Sequence, residues 1–270
     1  MNIQTHAPPL VIDKSFTQAI SGTRLSELSG ERTLLVPRCF HYEILTTDQR
    51  KMFRSLVGLD EFRWVDKELI LKIERDNGEP CCAAELACFC VDRDLLSPSR
   101  KPSLEEKEVA EQYRLESIKP FLALWDEIMK ADPVGFNTVE LVATARSEAD
   151  FTNLCKQLRD PERNRNIANE MNFQHAEKLD AAWFTFRFIQ TIALQCLVLR
   201  RRYPEVKPRC SRMRIEHDFH DMDYLAFGLH VGSLATNDIS PKLKKASIGW
   251  RFKVLEPRFE LVIPSNALNP

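Results

Sequence analysis

The chain has 270 residues, of which 44% are hydrophobic and 29% are charged. This composition is typical of a globular protein with a packed core, and it excludes a disordered chain, a collagen and a disulfide-stapled miniprotein. The 38 lysines and arginines nearly balance the 39 aspartates and glutamates, so the net charge is −1. Any nucleic-acid binding must therefore depend on local basic patches. Because only eight residues are glycine, we expect a helix-rich α/β protein without a Gly-rich phosphate loop.

Two features of the sequence bear on location. Residues 1–9 contain no basic segment followed by an apolar run, so we expect no secretory leader and reduced cysteines. The apolar stretch 181–199 precedes an arginine run as a membrane span would, but Arg187, Gln190 and Gln195 interrupt it. Such residues are costly inside hydrocarbon. We therefore expect a cytoplasmic protein with no membrane contact, in which this stretch is a core helix.

The N-terminal part of the chain alternates between strand and helix patterns. Residues 10–13 and 33–36 are short apolar runs, which are typical of strands in a parallel sheet. Ser15 is placed to cap a helix that Gly30 would end, and Pro37 suits the first position of the next helix. This order predicts the opening of a doubly wound sheet.

The rest of the chain divides into a helical middle and a second α/β part. Residues 61–180 carry apolar residues at helical spacing, and we interpret them as a helical insertion or subdomain. Residues 181–270 return to alternation, with a helix from Tyr224 and a strand within 232–238. The predicted core is therefore formed by 1–60 and 181–270.

Acidic residues stand next to the ends of several predicted elements. They are Asp13 and Asp238 after strands, Glu43 near the start of a helix, and Asp221 ahead of a helix. In open parallel sheets, ligands bind outside the carboxyl ends of the strands. Carboxylates brought together there repel one another unless a cation neutralises them, and hard divalent cations prefer oxygen ligands. The pattern therefore predicts a site for Mg²⁺ or Mn²⁺.

The segments that carry these acids resemble the motifs of PIN-domain nucleases. They are LVIDKS at 10–15, VPRCFHYEIL at 36–45, DFHDMDYL at 218–225 and LATND at 234–238. The resemblance implies a PIN-like central parallel sheet flanked by helices, with a large helical insertion. It also implies hydrolysis of phosphodiester bonds in a nucleic acid, RNA rather than DNA, by a divalent-metal-dependent endonuclease. The implied catalytic and metal-binding residues are Asp13, Glu43, Asp221 and Asp238, supported by Ser15, Thr236 and Asp218.

Basic residues provide candidates for holding the nucleic-acid strand. The run nearest the acids in sequence is favoured, because an anionic backbone has to be led to the metal. Its expected binding residues are Arg200, Arg201, Arg202, Arg212, Arg214 and Lys242. A separate basic group consists of Arg159, Arg163 and Arg165. Solvated helix ends would give the same patterns. A second copy of the chain and a regulatory protein are the other expected partners.

Structural alternatives stay open for each acid. Asp13 could cap a helix, Glu43 could pair with Arg38, and Asp238 could belong to a turn. Asp218, Asp221 and Asp223 also compete for the third position. On a helix the first two share a face whereas Asp221 and Asp223 do not, which favours Asp221 with Asp218 as an auxiliary residue.

Two other functions remain alternatives to the nuclease. One is a non-catalytic, PIN-like interaction protein that uses the helical middle to bind a partner. The other is a haloacid-dehalogenase-like phosphatase, which also has an aspartate after its first strand. That chemistry needs a second aspartate two positions later, where this chain has Ser15, so the phosphatase is disfavoured.

Overall fold

The computed structural model describes parts of the predicted core and parts of the predicted insertion. The described residues are 7–46, 56, 62–82, 101–113, 115–116, 158–170, 172–202, 212–237, 253–255 and 260–261. Within these ranges only the backbone is described for 46, 170, 196–202, 212–219, 253–255 and 260–261.

The described strands form one sheet whose centre is parallel. The strands are β1 (Leu10–Ile12), β2 (Leu34–Pro37), β3 (Phe62–Val65), β4 (Ser233–Ala235), β5 (Lys253–Leu255) and β6 (Glu260–Leu261). Their order is β3-β2-β1-β4-β5-β6, and all neighbours are parallel except β5 and β6. In register, Val11 lies between Leu35 and Leu234. Every residue of β1, β2 and β4 is buried, as expected for strands covered on both faces.

Helices cover this sheet. They are α1 (Lys14–Ala19), α2 (Gly22–Glu31), α3 (Arg38–Thr46), α4 (Lys67–Asn77), α5 (Pro161–Glu170), α6 (Phe184–Arg202) and α7 (Arg212–Val231). Helix α7 packs against β1, β2, β4 and α6, and α6 also contacts α4 and α5. The prediction of an α/β fold with a parallel sheet flanked by helices is therefore confirmed. Among the described residues, no helix has the length and apolar character needed to cross a membrane.

The segment after β1 differs from the predicted single helix. Ile20 is extended, and Ser21 starts a second helix by accepting a hydrogen bond from the Arg24 backbone N–H. Gly30 consequently lies inside α2 and does not end it. The predicted capping role of Ser15 is also wrong. Asp13 caps α1, because its carboxylate accepts the hydrogen bond from the backbone N–H three residues later.

Helix α7 begins well before Tyr224, the predicted start. It includes Asp218, Asp221 and Asp223 in one continuous helix. The earlier start was not predicted because the buried face of this helix carries polar groups. His220 and Asp223 are both about as buried as their apolar neighbours. A buried stripe made partly of polar residues gives no clear apolar periodicity.

Strand β3 lies within the range interpreted as a helical insertion. It pairs with β2 along its whole length and forms the outer parallel strand of the sheet. The central sheet therefore extends to residue 65. Residues 104–113 and α5 are helical, as expected for the middle region. The division of the chain into core and insertion stays a prediction.

Candidate functional site

The polar residues of interest lie where the direction of the sheet reverses. From β1 the chain proceeds to β2 and β3 on one side, whereas β4 and β5 lie on the other. The carboxyl ends of β1 and β4 therefore flank a topological switch point, the usual ligand position in open α/β sheets. Asp13 follows β1 and Thr236 follows β4. The backbone N–H of Asp13 donates to the carbonyl oxygen of Ala235 at 3.1 Å, which brings the two strand ends together.

The Asp13 carboxylate is held by several donors. Its Oδ1 accepts hydrogen bonds from the Phe16 backbone N–H at 2.7 Å and from Ser15 Oγ at 2.9 Å. Its Oδ2 accepts a hydrogen bond from Thr236 Oγ1. Ser15 Oγ also lies 3.1 Å from Thr236 Oγ1 and accepts from the Asn237 backbone N–H at 2.8 Å. Two hydroxyl groups from different strand ends thus fix the orientation of one carboxylate.

Glu43 enters the same neighbourhood from α3. Its Oε2 accepts a hydrogen bond of 2.9 Å from the phenol of Tyr224, which lies on α7 and is buried. Its Oε1 lies 4.0 Å from Lys14 Nζ. The described ion pairs differ from the alternative of Glu43 with Arg38: Glu43 pairs with Lys14, and Arg38 Nη1 donates to Asp66 Oδ2 at 2.6 Å. The glutamate is therefore tied to α7.

The electrostatics of Glu43 link it to Asp13. Burial raises the pKa of Glu43, and the negative charge of Asp13 raises it further, while Lys14 and the Tyr224 hydrogen bond lower it. The charge of Asp13 is the smallest of these contributions, and a cation beside the two carboxylates would relieve their repulsion. Burial also raises the pKa of Tyr224, with added contributions from nearby negative groups. Tyr224 is consequently protonated at neutral pH and can donate to Glu43.

Of the third and fourth predicted acids, the structure describes only Asp221. Asp221 is an exposed residue of α7, three positions before Tyr224. In the part of the chain that the structure describes, no group of three His, Cys, Asp or Glu side chains is arranged to hold a metal ion. The side chain of Asp218 and the whole of Asp238 lie outside the described residues. Asp13 and Glu43 are two predicted ligands between which an electrostatic interaction is described.

Asp223, the remaining competitor for the third position, has a different partner. Both of its carboxylate oxygens accept hydrogen bonds from Lys67 Nζ, at 2.8 and 3.0 Å. The side chains of Lys67 and Asp223 are only 2% and 5% exposed. Lys67 is the first residue of α4, directly after β3 and the capping residue Asp66. The carboxylate of Asp223 is therefore engaged inside the protein.

Sequence reasoning missed three residues of this region: Lys14, Lys67 and Tyr224. Lys14 was hidden because a single basic residue after a strand has no distinctive pattern. The Tyr224 hydroxyl acts across 181 positions of sequence and the Lys67 ammonium across 156. One useful signal was present, since Tyr224 directly follows the acidic motif.

The donor set fits a hard divalent cation. Mg²⁺ is commonly bound through one or two carboxylates and keeps several waters, so Asp13 and Glu43 are sufficient protein ligands. The hydroxyls that orient them are the kind of outer partners that metal-binding carboxylates have. Most of the predicted nucleic-acid-binding residues have described backbones only, in α6 and α7, and Lys242 is outside the described residues. Comparison of the chain with protein-family models, curated proteins and solved structures finds no match.

Proposed function

We propose that this protein is a divalent-metal-dependent nuclease with a PIN-like core, acting on RNA rather than DNA. The observation that carries the proposal is the carboxylate pair of Asp13 and Glu43 at the switch point, with its hydroxyl supports. The proposal includes Asp221 and Asp238 as further acids and residues 61–180 as an insertion into the core. Under this proposal the protein acts in the cytoplasm.

Asp13 and Glu43 would hold Mg²⁺ or Mn²⁺. Such an ion, when bound, activates water and neutralises developing charge on a phosphodiester. The hydroxyls of Ser15 and Thr236 keep both oxygens of Asp13 directed towards the strand edge. Tyr224 holds Glu43 by its Oε2, which leaves Oε1 directed towards Lys14.

Lys14 has a role in binding the substrate under this proposal. Its side chain is 33% exposed, so it can extend towards solvent as well as towards Glu43. An ammonium group next to a carboxylate pair attracts an anionic phosphate that the carboxylates alone would repel. Lys14 would therefore bring the scissile phosphate to the acids without being a ligand of the metal.

The direct test is cleavage of single-stranded RNA and DNA with Mn²⁺, Mg²⁺ or chelator, together with calorimetric measurement of Mn²⁺ binding. We expect metal-dependent RNA cleavage that falls at least about 100-fold in Asp13→Asn and Glu43→Gln. Asp238→Asn is expected to lose activity while remaining folded. Glu27→Gln is the matched control, since Glu27 is an exposed acid paired with Arg24, and it should cleave like the wild type. Equal cleavage by Asp13→Asn and Glu27→Gln would refute the assignment.

Calorimetry separates the nuclease from the non-catalytic alternative. The nuclease requires both Mn²⁺ binding and cleavage, and the binding should be lost in the double variant Asp13→Asn, Glu43→Gln. A wild-type protein that binds Mn²⁺ and cleaves neither RNA nor DNA would instead be an interaction protein that retains the site. Hydrolysis of a small phosphomonoester without RNA cleavage would indicate the phosphatase.

A further inference from the structure

Arg187 is a partly buried arginine with a donor that lacks an acceptor. It lies in the first turn of α6, where its Nη1 donates to Gln190 Oε1 at 3.0 Å. Its Nε is buried, and within the described residues it has no hydrogen-bond partner. Leaving a buried guanidinium N–H without an acceptor is unfavourable, and such groups are rare in folded proteins. The arrangement is therefore suited to a further acceptor, such as an oxygen of a bound anion.

A polar network holds a second arginine next to Arg187. Gln190 Nε2 donates to the carbonyl oxygen of Leu158 at 2.8 Å, and Asn164 Nδ2 donates to the same oxygen at 2.9 Å. Both side chains are buried. This network fixes the turn that contains Arg159, immediately before α5, against the start of α6. The exposed Arg159 is thus held beside Arg187 by groups that are themselves hydrogen-bonded.

The charges at this position are predominantly positive. Burial, followed by the charge of Arg159, lowers the pKa of Arg187 to about 10, and Asp180 opposes both effects. Arg187 is therefore still protonated at neutral pH. The Asp180 carboxylate accepts a hydrogen bond from the Ala182 backbone N–H. Among the described residues, no carboxylate lies within ion-pair distance of Arg187. The two arginines thus repel each other, and an anion between them would remove the repulsion.

Helix α5 adds a third arginine with the same property. Arg163 Nη1 is buried and lacks a hydrogen-bond partner in the described part of the chain. Arg163 lies in the first turn of α5, which packs against α6. Arg165 differs, because its Nε donates to the carbonyl oxygen of Leu179 at 3.0 Å. Within the basic group found in the sequence, Arg165 therefore has a structural partner, whereas Arg163 has a buried donor without one in the described residues.

We propose that Arg187 and Arg159, where α5 and the turn before it meet α6, form a phosphate-binding site. Guanidinium groups match the oxygens of a phosphate with parallel hydrogen bonds, and a buried Nε–H is the type of donor used in that contact. The site uses none of the residues around Asp13 and Glu43. Only the source of the phosphate, a nucleic-acid backbone, rests on the proposed function.

Binding of a short fluorescein-labelled single-stranded RNA, measured by anisotropy in chelator over a series of salt concentrations, tests the proposal without requiring cleavage. Arg159→Gln is the main variant because Arg159 is exposed and its loss should leave folding intact. Arg187→Gln is the second variant, with its fold checked by circular dichroism. The matched control is Arg24→Gln, because Arg24 is an exposed arginine of α2 that pairs with Glu27.

We expect Arg159→Gln and Arg187→Gln each to weaken RNA binding about 5- to 10-fold and to reduce the salt slope by about one phosphate contact. Arg24→Gln should stay within about 2-fold of the wild type. Identical RNA binding by all three variants would overturn the nucleic-acid backbone as the source of the phosphate.

A second measurement distinguishes a strand from a free ligand. If inorganic phosphate raises the melting temperature of the wild type but not of Arg187→Gln, while RNA binding is equal in both, the site takes a free phosphate compound and the strand is excluded. If neither phosphate nor RNA distinguishes the variants, the site itself is refuted. Variant-sensitive RNA binding without any cleavage in Mn²⁺ would support this site and contradict only the proposed nuclease.

Discussion

Glu74 offers the sharpest test of how this fold is held together. It lies on α4 and is fully buried, and its carboxylate accepts four hydrogen bonds from the chain. Oε1 accepts from the backbone N–H groups of Phe184 and Cys81, at 2.7 and 3.0 Å. Oε2 accepts from the backbone N–H and the hydroxyl of Thr185, at 2.8 and 2.6 Å. One side chain therefore satisfies the backbone N–H groups of the first two residues of α6.

The substitution Glu74→Gln should be costly despite its small change in shape. Glutamine keeps only one acceptor oxygen. Its amide NH₂ group must therefore face groups that now donate hydrogen bonds to Oε1 or Oε2 of the glutamate. The Thr185 hydroxyl can rotate and become an acceptor, but the backbone N–H groups cannot. Each buried donor left unsatisfied costs about 1–3 kcal/mol, and losing a negative charge at a helix N-terminus costs a further ~0.5 kcal/mol. The expected loss is about 2–4 kcal/mol, a large part of the stability of a typical domain.

Urea unfolding followed by circular dichroism measures this loss. The midpoint should fall while the m-value is unchanged, because the same surface is exposed on unfolding. Glu68→Gln is a suitable control, since Glu68 is an exposed residue of the first turn of the same helix. It should change the free energy of unfolding by less than about 0.5 kcal/mol. If Glu74→Gln and Glu68→Gln have the same midpoint, the four hydrogen bonds do not anchor α6 and the reasoning is wrong.

Three further predictions concern the region around α7. The single substitutions Lys67→Met and Asp223→Leu should each lower the free energy of unfolding by about 3–5 kcal/mol, because each removes one partner of a buried ion pair. The double variant should recover most of that loss, and a double-mutant cycle in urea measures the difference. Tyr224→Phe should weaken Mn²⁺ binding by calorimetry about 10-fold by releasing Glu43, and an unchanged affinity would exclude that positioning role. Burial lowers the pKa of His230 to about 4. The unfolded chain therefore binds more protons below about pH 6.5, so stability should fall between there and pH ~4 by at most ~3 kcal/mol, and urea midpoints of His230→Gln should show a smaller fall.

The central strands could be predicted because their signal is local. Residues 10–12 and 34–36 are all apolar, and the strands formed there are entirely buried. Strand β3 was missed because the exposed Arg63 interrupts a short run beside a helical pattern. Helix α7 was predicted only in its second half, because the first half carries charged residues whose side of the helix no local pattern identifies.

The site could be predicted only in part, for a related reason. Asp13 was found because it follows a strand and parallel strands end at one edge, whereas Ser15 and Thr236 were found through the resemblance to a nuclease family. The partner of Glu43 was not found, because the contact with Tyr224 depends on how α3 and α7 pack across the fold. A single sequence records which residues end a strand, but it does not record which helix faces meet.

Buried and partly buried carboxylates in the described residues differ in the kind of partner that contacts them. Asp223 and Asp66 each have a cationic partner in direct contact, Lys67 at 2.8 Å and Arg38 at 2.6 Å, so their charge is neutralised within the fold. The described contacts of Asp13 and Glu43 are hydroxyl and amide donors, and the ammonium of Lys14 stands 4.0 Å from Glu43. Neutral donors orient a carboxylate without cancelling its charge. Such donors do not by themselves indicate a metal, because Glu74 is held by neutral donors inside the fold. Under the proposed function, a divalent cation from solution would neutralise the charge that Asp13 and Glu43 share at this edge of the sheet.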